Sequence, residues 1–108
     1  MLLAWPATTI LVARDSGPDG PIVGTATLVL VKSPAGTHAR LEDLVVDESA
    51  REQGVGEALT REIIRLAGEG GARYLALTSN PRREAANRLY QRMGFKPWET
   101  NVYRYDLA

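Results

Sequence analysis

The apolar residues of this chain change their period once, and that change confines the fold to a mixture of strands and helices. Up to Val46 the apolar runs are rich in Val, Ile, Leu and Thr, the composition of half-buried strands. Thr8–Ala13 and Ile22–Lys32 flank the turn Asp15-Ser16-Gly17-Pro18-Asp19-Gly20-Pro21, and Ser33-Pro34-Ala35-Gly36 leads into His38–Asp47. These three runs read as an antiparallel meander. Beyond Gly54, Val55, Leu59, Ile63 and Leu66 recur every three or four positions, while Glu57, Arg61, Glu62 and Arg65 fall between them, which predicts an amphipathic helix. Gly68, Gly70 and Gly71 end it. Tyr74–Thr78 is nearly continuous in apolar residues, as an interior parallel strand would be. Asn80-Pro81 reads as the N-cap and first turn of a second helix, marked by Ala85, Ala86, Leu89, Tyr90 and Met93 and stopped by Gly94. Phe95–Trp98 and Asn101–Leu107 read as two short strands paired across Glu99-Thr100.

The resulting order, β-β-β-α-β-α-β-β, places a helix between the third and fourth strands, so those two are expected to lie parallel. The fold class is α/β in its α+β form: a mixed, mostly antiparallel sheet with a central parallel pair and two helices. A length of 108 residues, 44% apolar and 24% charged, suits one globular domain over 1–108. Thirteen basic residues balance thirteen acidic ones, so no net field draws the chain to nucleic acid or an anionic membrane. There is no cysteine and a single histidine, His38, read as a strand-end residue; thiol nucleophiles, disulfides and a metal site are therefore not expected. The longest apolar stretch, Thr25–Val31, is far short of the ~20 residues of a membrane span. Met1–Pro6 lacks the basic leader of a signal peptide, and a cytoplasmic location is expected. Trp5 and Trp98 are read as core or interface side chains. The chemistry left to such a chain rests on carboxylates, hydroxyls, a phenol or backbone groups.

Between the last strand of the meander and the first helix stands Arg51-Glu52-Gln53-Gly54-Val55-Gly56. Glycines at a helix start let the backbone turn tightly and approach a ligand. The free amides and positive dipole end of the helix favour an anion, above all a phosphate, and Arg51 adds a planar fork of donors. The nucleotide P-loop is excluded because no Gly-Lys-Ser/Thr follows, and the dinucleotide fingerprint because Leu59 stands where its third glycine belongs. An ordinary tight turn with a solvated arginine is the competing reading.

This hexapeptide, preceded by Leu44-Val45-Val46-Asp47, resembles the Arg/Gln-x-x-Gly-x-Gly/Ala element of the GCN5-related N-acetyltransferase family. Downstream, Ala86-Asn87-Arg88-Leu89-Tyr90-Gln91-Arg92-Met93-Gly94-Phe95 is similar to that family's Ala-x-x-x-Tyr-x-x-x-Gly-Phe segment. The resemblance runs from Leu41 to about Trp98 and implies an acyl-CoA N-acyltransferase fold. It implies acetyl-CoA as co-substrate, its pyrophosphate on the amides of Arg51, Glu52, Gln53, Gly54, Val55 and Gly56. Its pantetheine arm would lie along Leu44, Val45 and Val46 like an added strand, in the gap where the two parallel strands splay. Tyr90 would protonate the departing thiolate, and Glu42 would accept a proton from the acceptor ammonium, directly or through water. Arg83 stands where relatives place a CoA-contacting asparagine and, with Asn87, is a further cofactor-binding candidate. Tyr90 as a plain core tyrosine is the rival reading. Glu42 and Asp43 are adjacent and project to opposite faces, so one lines the site while the other can pair with an arginine. Glu52 sets a carboxylate in a loop expected to receive phosphates, and must point away.

Relatives begin with a strand and two helices before the meander, whereas Met1–Ala7 alone precedes the first clear strand here. The expectation is a shortened member of the family whose open sheet face is covered by a second copy, making a homodimer. Direct transfer of acetyl to a primary amine in a ternary complex is the leading expectation, the acceptor being a small amine or a peptide amine. A CoA-binding sensor without catalysis and a purely structural domain are the alternatives.

Overall fold

The computed structural model describes the backbone of residues 5–108 and the side chains from Ala7 onward. Contacts divide it into two compact units, Met1–Thr78 and Ser79–Ala108. The reading of Met1–Pro6 as no leader, and of Trp5 as a buried or interface side chain, lies outside the described residues.

In the first unit, β1 (Trp5–Arg14), β2 (Ile22–Ser33) and β3 (Gly36–Val46) form the expected antiparallel meander, with Leu11 opposite Ala26 and Leu28 opposite Leu41. The helix α1 (Val55–Glu69) follows a short 3-10 turn at Glu48–Ala50. It returns the chain to β4 (Leu75–Ala76), which joins β3 in parallel through Ala39↔Leu75 and Arg40↔Ala76. The sheet order is β1-β2-β3-β4. Alternation in β2 and β3 turns Ala26, Leu28, Ala39 and Leu41 toward α1, whose Leu59, Ile63 and Ala67 complete the core. Leu28 is 2% exposed and Ile63 fully buried, each worth about 1.5–3 kcal/mol of transfer free energy. The charged residues between them lie outward and pair along the helix, as Arg61 with Glu57 at 3.7 Å.

Gly24 sets how closely α1 approaches the sheet. A Cβ there would lie 2.9 Å from Val55 Cγ1 and 3.1 Å from Leu59 Cδ1. Gly24→Val is therefore expected to push the first turn of α1 outward and to cost about 1–3 kcal/mol in urea denaturation. An unchanged midpoint would show that Val55 and Leu59 yield freely.

Three expectations are corrected in this unit. Strand β1 starts at Trp5, before Thr8, because the β1–β2 ladder continues to Trp5↔Lys32. Tyr74–Thr78 contributes just two ladder residues, and β4 lies at the edge of the sheet with Tyr74 59% exposed, where an interior strand was expected. His38 lies inside β3, not at its end, and stacks on Tyr74 at 5.2 Å with a 10° interplanar angle.

The second unit carries α2 (Glu84–Arg92), which begins later than Asn80-Pro81 suggests. Asn80 uses its side chain in a turn: Oδ1 accepts the Arg82 N–H at 2.9 Å and its carbonyl accepts the Arg83 N–H at 3.0 Å. Gly94, at φ 101°, ends the helix, and Phe95 N–H donates to Tyr90 O at 3.0 Å. The strands expected at Phe95–Trp98 and Asn101–Leu107 are not formed, and every residue from Lys96 onward is exposed. Glu99-Thr100 lacks the glycine or asparagine that a two-residue hairpin turn needs, and an isolated two-stranded ribbon is marginal in water. Trp98, 84% exposed, is no core residue.

Candidate functional site

The parallel ladder between β3 and β4 stops at Arg40↔Ala76, well before β3 itself ends at Val46. Beyond that point β3 bends. Thr27 faces Glu42 and Thr25 faces Val45, so Asp43 and Leu44 together stand opposite Ala26 in a β-bulge. Asp43 takes φ 52°, a left-handed conformation that aspartate tolerates better than most residues. The extra residue returns Leu44 to the helix side of the sheet, where it is buried, and leaves Val45 59% exposed. Val46 is half-buried.

The chain then enters the glycine loop. Arg51 is extended, Glu52 is left-handed at φ 67°, and Gly54 is left-handed at φ 80° as the N-cap of α1. No side chain caps this helix, and its first backbone bond runs from Ala58 N–H to Gly54 O at 2.9 Å. The amides of the first turn therefore face outward, and left-handed residues spaced along such a loop shape an anion-binding concavity. Gln53 Nε2 donates to Ser49 O at 3.2 Å, and Thr60 Oγ1 donates to Gly56 O at 2.7 Å, fastening the loop at both ends. Arg51, Glu52, Gln53 and Gly54 are exposed, while Val55 and Gly56 are half-buried. Glu42 lies on the sheet face opposite α1 and accepts a hydrogen bond from Arg40 Nε at 2.8 Å. Asp43 sits in the bulge, exposed. Of the two adjacent carboxylates, Glu42 is the one paired with an arginine.

In the second unit Arg83, Asn87 and Tyr90 lie at spacings of four and three along α2 and its N-cap, on one side of the helix. Asn87 Nδ2 donates to Asn80 O at 3.0 Å, which fastens the helix to the preceding turn. Tyr90 is 6% exposed, its ring edge-on to Phe95 at 5.6 Å. Burial pushes its phenol above the ordinary tyrosine range, and the nearby Arg83 charge pulls weakly the other way. Tyr90 is thus a neutral hydrogen-bond donor across the physiological range. Glu42, Leu44–Val46 and Arg51–Gly56 lie in the first unit, and Arg83, Asn87 and Tyr90 in the second.

Two features escape the sequence pattern. The Asp43 bulge has no signal in an alternating run. Ser79 Oγ is buried without a hydrogen-bond partner, and nothing in its neighbours marks it out. Among the described residues, no cluster of histidine and carboxylate could hold a metal ion, and no helix is long and apolar enough to cross a membrane.

Residues 2–95 match the acetyltransferase (GNAT) family. The glucosamine 6-phosphate N-acetyltransferase of Trypanosoma brucei brucei is 34% identical over 93 residues, covering 83% of this chain and 60% of that protein. A probable glucosamine 6-phosphate N-acetyltransferase of Oryza sativa subsp. japonica is 32% identical over 90 residues, covering 80% of this chain and 52% of that protein. The chain thus spans between half and two thirds of the length of these relatives. The crystal structure of a Trypanosoma brucei acetyltransferase superposes with a TM-score of 0.78 at 29% identity, over 93% of this chain and 69% of that one. The family match extends over most of the chain, the helix-start loop and Tyr90 included, and the chain belongs to the acetyltransferase (GNAT) family.

Proposed function

We propose that this protein is an acetyl-CoA-dependent N-acetyltransferase that passes acetyl directly to a primary amine, and that it works as a homodimer. The observation that carries the reading is the place where β3 outruns β4 and delivers the chain into an uncapped helix start. An extended arm can lie there along Leu44, Val45 and Val46 while a diphosphate rests on the amides from Arg51 to Gly56. Arg51 supplies charge to the phosphates, with Arg83 and Asn87 as further contacts. Acetyl-CoA supplies the thioester whose acetyl group moves to the amine.

Glu42, half-exposed and bonded to Arg40 through Oε1 alone, takes on its carboxylate the proton that the acceptor ammonium must lose before its lone pair can attack, so its pairing with arginine and its role as base fall on the same residue. The new N–C bond forms as the C–S bond breaks, Tyr90 gives its proton to the sulfur that leaves, and the second proton shed by the nitrogen restores the Tyr90 phenol through solvent. The neutral state that burial imposes on Tyr90 suits a donor. Glu42→Gln is expected to lower kcat roughly 100-fold with little change in CoA affinity, the usual cost of losing a general base. Stopped kinetics across an amine series check this, and an unchanged kcat would move the base elsewhere.

The reading as a whole is tested by thermal denaturation with CoA and by thiol release across an amine panel. Glucosamine 6-phosphate belongs in that panel because two relatives are named for it. CoA at 100 times its dissociation constant is expected to stabilise the fold by about 2.7 kcal/mol. No shift with CoA would refute the reading; a shift without thiol release on any amine would identify a CoA-binding module instead.

A further inference from the structure

Arg40 and Glu42 form an ion pair whose outer atoms are left open. Their side chains are 36% and 41% exposed and meet through one bond, from Arg40 Nε to Glu42 Oε1 at 2.8 Å. Among the described residues, no other carboxylate lies within 4 Å of Arg40, and neither Glu42 Oε2 nor the two terminal guanidinium nitrogens have a hydrogen-bond partner. The pairing uses a small part of what each group offers, since a guanidinium donates up to five N–H bonds and a carboxylate accepts about four. Both side chains stand on the sheet face opposite α1. Arg40 lies between its ladder neighbours Val29 of β2 and Ala76 of β4, and Glu42 lies beside Thr27. The next pair along this face, His38 and Tyr74, is taken up in its own ring stack. Half-buried charges with apolar flanks are screened less than charges in open water.

We propose that this ion pair is the acceptor seat and that the acceptor is a free amino acid, its ammonium on Glu42 Oε2 and its carboxylate on the Nη fork of Arg40. The inference rests on Glu42 as the base of the preceding reading and names the substrate class. A positive and a negative group side by side are the electrostatic complement of a zwitterion, and they offset both of its charges together. The fork takes a carboxylate through two parallel N–H bonds, a geometry that lysine does not offer. Spacing selects the class. Guanidinium and carboxylate touch here, so the two ligand groups they engage lie within a few ångströms of each other. One or two carbons between amine and carboxylate meet that condition. A peptide amine far from its chain's carboxylate does not, and a phosphate across a sugar ring from its amine spans further. The charge balance also serves the reaction. Once Glu42 has taken the ammonium's proton it is neutral, and the acceptor carboxylate then offsets the Arg40 charge that Glu42 has released. Transfer leaves an N-acetyl amino acid, the free thiol of CoA and one proton in solvent.

The test compares a set of L-amino acids with their uncharged primary amides, in thiol release with acetyl-CoA and in calorimetry on the protein with CoA. Free acids are expected to exceed their amides at least tenfold in kcat/KM and in affinity, the worth of a charge-assisted pair. Arg40→Gln is expected to erase this preference, costing the free acids at least tenfold more in KM than the amides, with the circular dichroism spectrum retained. Arg40→Lys is expected to recover part of it. Equal losses on acid and amide would make Arg40 a positioning residue for Glu42 and overturn the inference, as would amides that perform as well as acids. Turnover confined to glucosamine 6-phosphate and indifferent to Arg40 overturns it while leaving the transferase standing. Without thiol release from any amine, acid-selective binding that Arg40→Gln removes supports the seat and refutes the transferase; no such binding refutes both.

Discussion

Tyr90→Phe is expected to lower kcat by roughly two to four orders of magnitude while leaving CoA affinity within about a factor of two. The substitution removes one hydroxyl and keeps the ring, so the edge-on contact with Phe95 and the packing of α2 survive. A neutral phenol is what a departing thiolate needs, and burial holds Tyr90 in that form. The same burial sets a sign for stability. The folded protein holds the phenolic proton more tightly than the unfolded chain does, so this contribution is complete below the unfolded value of about 10. It is lost as pH rises through the higher folded value. The parent protein should lose stability with rising pH in that alkaline window, and Tyr90→Phe should flatten the loss. Retained turnover in the phenylalanine variant would take Tyr90 out of the mechanism and restore its reading as a core residue.

Ile63→Ala is expected to cost about 2–5 kcal/mol, a large share of the stability of a domain this size. Ile63 has no exposed surface and lies on the face of α1 turned to the sheet, so the substitution leaves a cavity that the surrounding core closes only in part. The first turn of that same helix is the proposed diphosphate seat. CoA at 100 times its dissociation constant should therefore restore about 2.7 kcal/mol in urea denaturation, because it binds the folded state alone. Equal curves with and without CoA would separate the core of α1 from its N-terminus and count against the cofactor seat.

Gly54 and Gly56 were legible because a glycine pair between a strand-like run and a helix-like run has few other uses. Leu59, Ile63 and Ala67 face inward as a period of 3.6 requires, and Tyr90 is buried as its place on the apolar stripe of α2 suggests. The pairing of Arg40 with Glu42 was open in the sequence, since two adjacent carboxylates compete for one guanidinium and side-chain reach decides between them. Asn80 was misread because asparagine serves an N-cap and an independent turn equally well; the hydrogen bond to Arg82 settles which.

Local chemistry in the sequence alone determined the meander, the crossover helix, the glycine loop and the membership of the family. Each depends on neighbours within a few residues, through periodicity or backbone freedom. Tertiary structure decided the Asp43 bulge, the early end of the β3–β4 ladder, the edge position of β4 among the described strands and the irregular backbone of Asn101–Leu107. A bulge exists only relative to a facing strand, and a strand exists only where another backbone takes up its hydrogen bonds. Those partners are distant in sequence, so no local pattern can announce them.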